Sequence, residues 1–203
     1  RNRFPTIYNY CKKLGVDITV EPIPVVPAAH YSCGGVGVSL RGRTSLNRLY
    51  AVGEVSCTGV HGAKRLASTS LLEAVVWGYN AGIDAAESYK TRDYFPEIFP
   101  WKEADEFIDP ALIAQDWTTI KNTMWNYVGL VRTRRRLDRA RTILRHLQTE
   151  IENFYQKAKI TRPILQLRNA VHTAVAVTYA AFEDPISKGT HYLKDQELPN
   201  AHL

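Results

Sequence analysis

Seven arginines crowd the stretch from Arg132 to Arg145, yet an apolar stripe runs through them without a break. Leu137, Leu144, Leu147, Ile151 and Phe154 recur at helical spacing over residues 137–158. A single helix cannot bury its own stripe, so this pattern demands partner helices. Two candidates flank it: residues 118–133, and residues 163–182, where Pro163 sits in a first turn that tolerates proline. Three helices of this length form a small antiparallel bundle. The competing reading is a basic helix for nucleic acid. No aromatic residues interleave the arginines, and Asp138, Glu150 and Glu152 accompany them. The expectation is a bundle face whose arginines meet carboxylates such as Glu150 and Glu152 or reach solvent, with no nucleic-acid partner.

Upstream of the bundle the composition changes. Residues 94–109 are acidic, aromatic and proline-containing, and read as a linker. Before them lies a mixed segment. Residues 2–15 read as a short helix closed by Gly15. Residues 16–40 are rich in Val and Ile, but Pro22, Pro24 and Pro27 confine any strand to an edge or loop. Arg41-Gly42-Arg43 reads as a turn, Leu49–Val52 as a strand ending on Gly53-Glu54, and residues 71–89 as a helix. The expected fold class is therefore α+β, with mixed strands and a long helix followed by a C-terminal three-helix bundle.

The 203 residues suffice for one or two small domains, and 45% hydrophobic residues suit a globular chain. The net charge of +6 is compatible with anionic ligands without fixing a function. Cys11, Cys33 and Cys57 stand at no metal spacing and cannot all pair, so reduced thiols in an intracellular protein are expected, with no metal. No apolar run reaches transmembrane length, and no signal peptide is expected. The chain opens on Arg1 inside a helical pattern, as expected of a fragment, a processed chain or the ordered part of a longer one.

Three motifs in the first half carry chemistry. In "PAAHYSCGGVGV", His30 precedes Gly34-Gly35. An imidazole can hold a carboxylate or move a proton near neutral pH, and glycines let a ligand approach the backbone. A lone histidine is equally explained as structural. In "LYAVGEV", a strand ends on Gly53 and Glu54, where a carboxylate can take sugar hydroxyls; a surface turn is the bland alternative. In "HGAKRLASTSLLEA", Arg65 offers a planar fork for a carboxylate. Ser68, Thr69 and Ser70 stand at N-cap positions of the helix that begins at Leu71, whose end favours negative charge. An ordinary capped helix with a surface arginine would read the same way.

Taken together, "IPVVPAAHYSCGGVGV", "GRTSLNRLYAVGEVSCTGVHGAKRLASTSLLEAVVWG" and "WNYVGLVRTRRRL" resemble the L-aspartate oxidase family. That family lies within the fumarate reductase and succinate dehydrogenase flavoprotein superfamily. The "AHYSCGG" form is more like the oxidases than the respiratory dehydrogenases, and the helical tail is most similar to plant or cyanobacterial versions. The resemblance implies FAD, and oxidation of L-aspartate to iminoaspartate, with oxygen or fumarate taking the electrons and the product entering quinolinate and NAD synthesis. It implies that residues 1–30 end a capping region, 31–93 close an FAD-binding domain, 94–109 link, and 110–203 form the bundle. It implies that His30 and Arg65 bind the substrate carboxylates and that Glu54 binds FAD hydroxyls. Ser70 and Leu71 would face the flavin through backbone N–H groups, while Gly34, Gly35 and Gly53 let it lie against the chain. A plant or algal member would work in the plastid stroma, another in the cytoplasm.

Three features depart from the family pattern. Lys64 and Thr69 replace asparagines, and Ser187-Lys188-Gly189-Thr190-His191 replaces a Ser-Arg-Gly-x-His run. No G-x-G-x-x-G fingerprint occurs in the 203 residues, so the ADP half of the flavin site has to come from elsewhere. Two readings follow: part of an oxidase whose remainder lies outside this chain, or a non-catalytic relative serving as an interaction subunit.

Overall fold

The computed structural model describes residues 2–89, 97–100 and 104–195. The bundle comprises α3 (Pro110–Tyr127), α4 (Arg134–Tyr155) and α5 (Arg162–Glu183). All three expected helices are present. The first begins at Pro110 rather than residue 118. Asp109 caps it by accepting from Ala111 N at 2.8 Å, and Pro110 takes the first helical position, where a missing N–H costs nothing. On α4, Thr133 caps by accepting from Arg136 N at 3.2 Å.

The stripe buries as its spacing requires. Leu144, Leu147 and Ile151 pack with Ile120 of α3 and Leu167, Val171 and Ala174 of α5. Leu137 and Ala140 pack with Val128, Ala181 and Leu193. Arg134, Arg135, Arg136, Arg139 and Arg145 reach solvent as expected, but none of the expected pairs with Glu150 or Glu152 forms among them. Arg141 reaches Asp138 at 2.7 Å, but its guanidinium also stacks on Phe182 at 4.3 Å. Arg145 stacks on Tyr179 at 4.8 Å and Arg134 on Phe182 at 5.1 Å. These aromatic partners come from α5, so cation–π contact adds to solvent exposure and the Asp138 pair on this face. Glu152 is engaged from α5 instead, by Arg168 at 2.7 Å and His172 at 2.5 Å.

The linker is fastened to the bundle: Glu106 pairs with Ala158 in a parallel bridge, and Lys159 N donates to Glu106 O at 2.8 Å. Residues 94–96 and 101–103 of that stretch lie outside the described residues.

In the first half, α1 spans Pro5–Lys13 and closes through Gly15 at φ +85°. Strand content is small. β1 (Val36–Gly37) pairs in parallel with β2 (Ser56–Cys57), in register Val36↔Ser56. The strand expected at Leu49–Val52 contracts to one antiparallel bridge, Arg43↔Tyr50. No strand lies in the proline-bearing residues 16–35, because the described backbone offers no neighbouring ladder to join.

α2 (Ser70–Ser88) is inverted. It buries Glu73, Ala81 and Asp84, while Leu71, Leu72, Val75, Val76, Tyr79 and Ile83 stand exposed. Asp84 fastens the 41–50 turn to the helix. It accepts from Arg41 Nη1 at 2.9 Å, from Arg43 Nη2 at 2.9 Å and Nε, and from Tyr50 OH at 2.8 Å. Hydrogen bonds from Arg43 and then Arg41 hold its carboxyl well below the usual carboxylate range. An apolar face turned outward is a surface made to be covered. The whole chain exposes 15757 Å², where a self-contained globule of 23.0 kDa exposes roughly 9,600 Å² by the area–mass scaling of monomers. No described helix is long and apolar enough to cross a membrane.

Candidate functional site

The first turn of α2 and the loops before it gather one polar cluster. Glu73 is its centre, 3% exposed at the side chain, facing a His61 ring that is 7% exposed. His61 Nε2 lies 2.8 Å from Glu73 Oε2. Thr58 donates to Glu73 Oε1 at 2.6 Å, and Tyr31 OH donates to Oε2 at 3.1 Å. Burial alone would push the Glu73 carboxyl up; the hydrogen bonds from Thr58, His61 and Tyr31 outweigh it and leave it below its ordinary value. Burial, and then the Glu73 carboxylate, push the Tyr31 hydroxyl up.

Arg65 rests on top of this cluster. Its guanidinium carbon lies 4.5 Å from the centre of the Tyr31 ring, and its Nε donates to Ser70 Oγ at 2.7 Å. Tyr31 is held edge-on by His61, with ring centres 5.3 Å apart. The guanidinium is thus fixed by one face and one N–H. Its Nη groups have no carboxylate partner among the described residues. A half-buried arginine kept in this manner presents a fork to an anion from outside.

The other expected residues fall around it. His30 is exposed, has no hydrogen-bond partner among the described residues, and adjoins Tyr31 in sequence. Glu54 is exposed and accepts from Ser32 N at 3.1 Å through one carboxylate oxygen. Gly53, at φ +74°, starts the 3-10 turn Gly53–Val55. Gly34 has open space where a side chain would stand. Gly35 has a different reason to be glycine: at φ +142°, a Cβ would lie 2.1 Å from Val55 O, so the chain's own backbone fills that place.

The serine and threonine cluster does not cap α2 as its sequence suggests. Thr69 holds the N-cap position, but its hydroxyl donates to Leu66 O at 2.7 Å, and Ser70 Oγ is taken by Arg65. The N–H groups at the start of α2 therefore meet no side-chain cap, and Leu71 is 79% exposed. An uncapped helix start, an exposed Glu54 carboxylate and the open side of Gly34 fit a large ligand that carries negative charge at one edge and hydroxyls at another.

Sequence reasoning missed the His61–Glu73 pair, Thr58 and Tyr31. Ser70-x-x-Glu73 has the spacing of a capping box, which gives Glu73 a local use and hides its inward one. The available signal was a carboxylate inside an otherwise apolar turn.

Two family models match the chain: FAD binding domain over residues 1–71, and fumarate reductase flavoprotein C-term over residues 117–200. The chain belongs to the fumarate reductase and succinate dehydrogenase flavoprotein superfamily. Within it, the chain is 44% identical over 194 residues to an L-aspartate oxidase of Yersinia pestis, across 95% of this chain and 36% of that protein. It is 38% identical to the chloroplastic L-aspartate oxidase of Arabidopsis thaliana, over 95% and 32%. A solved quinol–fumarate reductase with menaquinol molecules superposes with a TM-score of 0.79 at 27% identity, over 96% of this chain and 37% of its own. The chain spans less than two fifths of the length of these relatives.

Proposed function

We propose that this chain is part of an FAD-dependent oxidase that converts L-aspartate to iminoaspartate for quinolinate and NAD synthesis. The observation that carries the reading is Arg65. Its guanidinium is stacked on Tyr31 and tied through Nε to Ser70, while its Nη fork stays open. A dicarboxylate is a natural occupant, with Arg65 gripping one carboxylate and the neighbouring His30 reaching the other. FAD, when bound, supplies the two-electron acceptor. Glu54 would hold its hydroxyls, the N–H groups at Ser70 and Leu71 would meet its negative edge, and Gly34, Gly35 and Gly53 would keep the approach low. Arg65 fixes the substrate's orientation with a charge that does not titrate near neutrality.

The remainder of the flavoprotein is the proposed partner of the exposed α2 face, and this chain alone is not expected to turn over aspartate. Oxygen or fumarate would take the electrons. The compartment would be the cytoplasm of a bacterium or the plastid of a plant or alga, in keeping with the chloroplastic Arabidopsis relative. The alternative of a non-catalytic interaction subunit is less well supported, since an open arginine fork over a buried Glu–His pair has no use in it.

The test is peroxide release by the complete protein with L-aspartate, D-aspartate and L-asparagine. Turnover of L-aspartate alone is expected, because asparagine lacks the second carboxylate. Equal turnover of L-asparagine contradicts the two-carboxylate site.

A further inference from the structure

Arg65 follows a glycine-containing loop with few backbone bonds of its own. Gly59 and Gly62 both have positive φ, and the loop's own backbone bonds are the short turns Gly62 N to Gly59 O and Lys64 N to His61 O. From below, His61 ties this loop to Glu73. A second tie comes from the far end of the chain. Thr190 N donates to Ala63 O at 3.0 Å, and Thr190 Oγ1 lies 3.3 Å from the same oxygen. The contact is close-fitting: a Cβ on Gly189 would lie 2.1 Å from Ala63 O and 2.8 Å from Ala63 Cβ. Gly189 itself has φ +56°, a conformation that disfavours other residues.

The turn that carries these two residues is anchored in the bundle. Lys188 and His191 exchange backbone hydrogen bonds at 2.9 and 3.0 Å. Arg132, at the start of the chain into α4, receives Lys194 N on its carbonyl at 2.8 Å and donates its own N–H to Tyr192 O at 3.0 Å. Its Nη1 donates to His191 Nδ1 at 2.8 Å, and His191 Nε2 donates to Asp184 O at 3.1 Å. Leu193 is fully buried among Val128, Leu137 and Ala140. The turn is thus tied into the bundle, and its tip touches the residue two before Arg65.

We propose that the Gly189–Thr190 turn is a positioning element for Arg65, through which the helical bundle sets the affinity of the carboxylate site. The inference rests on the functional reading above for its ligand, but not for its geometry. Gly189 and Thr190 touch no substrate in this account; they act through Ala63.

The experiment compares the complete flavoprotein with its Gly189→Ala, Thr190→Val and Lys188→Ala variants. Lys188→Ala removes only the ion pair with Asp184 and leaves the tip in place. Three quantities are read: flavin content, succinate affinity from the perturbation of the flavin spectrum, and amide hydrogen exchange of residues 59–65. In Gly189→Ala, succinate should bind about tenfold more weakly, with KM for L-aspartate rising in step while kcat changes less than about twofold, the pattern of lost uniform binding. Exchange across 59–65 should quicken and flavin content should hold. Thr190→Val should move the same readouts in the same direction by a smaller factor, and it serves alone if Gly189→Ala does not fold. Lys188→Ala should match the wild type. Unchanged exchange in the loop overturns the proposal, as does unchanged succinate affinity in a wild type that binds succinate. A wild type that gives no succinate response contradicts the functional reading instead, and the exchange measurement still decides the turn.

Discussion

Arg65 and Asp84 are two residues whose surroundings lead to opposite uses. Arg65 has a ring beneath it, a hydroxyl at Nε and an open fork; Asp84 has every oxygen filled by Arg41, Arg43 and Tyr50. On the proposed reading the first takes a ligand, while the second holds the fold together. Arg65→Lys keeps the charge and loses the two-point grip. In the complete protein it should lower kcat/KM for L-aspartate by about 2–5 kcal/mol of transition-state stabilisation while flavin content stays at the wild-type level. Steady-state kinetics beside flavin absorbance measure both. Asp84 predicts a pH dependence. Its folded carboxyl sits below its unfolded value, so the stability it contributes is present above about pH 4 and is lost as pH falls towards the folded value. Glu73 acts in the same direction. Thermal melts taken from neutral to acid pH should fall less steeply for Asp84→Asn than for the wild type; parallel curves would show that the Arg41–Arg43 clamp does not carry this slope.

At the scale of elements, legibility depended on whether an element is completed inside the chain. The α4 stripe was legible because its partners, α3 and α5, lie on either side of it in sequence, and Leu144, Leu147 and Ile151 bury where the period puts them. Leu144→Ala should cost about 2–5 kcal/mol, the usual range for a fully buried leucine, as read by chemical denaturation of the bundle's helical signal. The use of the arginines was not legible: their aromatic partners Tyr179 and Phe182 sit some 40 residues on, and only the antiparallel packing of α5 brings them over. Because those guanidiniums are engaged on rings, a fluorescence-anisotropy titration of the chain with duplex DNA and RNA at about physiological ionic strength should give no salt-sensitive binding. Tight binding that collapses with salt would restore the nucleic-acid reading. Strand Leu49–Val52 and helix α2 were half legible. The periodicity of α2 identified a helix with one apolar face, but a period cannot say that this face turns outward while Glu73 and Asp84 turn in. Likewise His30, Glu54 and Arg65 were readable as residue types in glycine-rich loops, whereas the Tyr31, His61 and Glu73 support beneath Arg65 depends on a fold that crosses 42 residues.

For the whole molecule, the outward face of α2 is the surface that the proposed remainder of the flavoprotein would cover, and the bundle meets the Arg65 loop at Ala63 through Thr190. The central claim is that this chain presents a carboxylate grip to a flavin-dependent oxidation of L-aspartate. Anaerobic mixing of the complete, FAD-loaded protein with L-aspartate tests it most directly, followed by the long-wavelength absorbance of the flavin. The account predicts that L-aspartate bleaches the flavin in the wild type and that Arg65→Lys does so far more slowly at the same concentration. A flavin that dithionite reduces but L-aspartate leaves untouched, or a variant that bleaches at the wild-type rate, would contradict it.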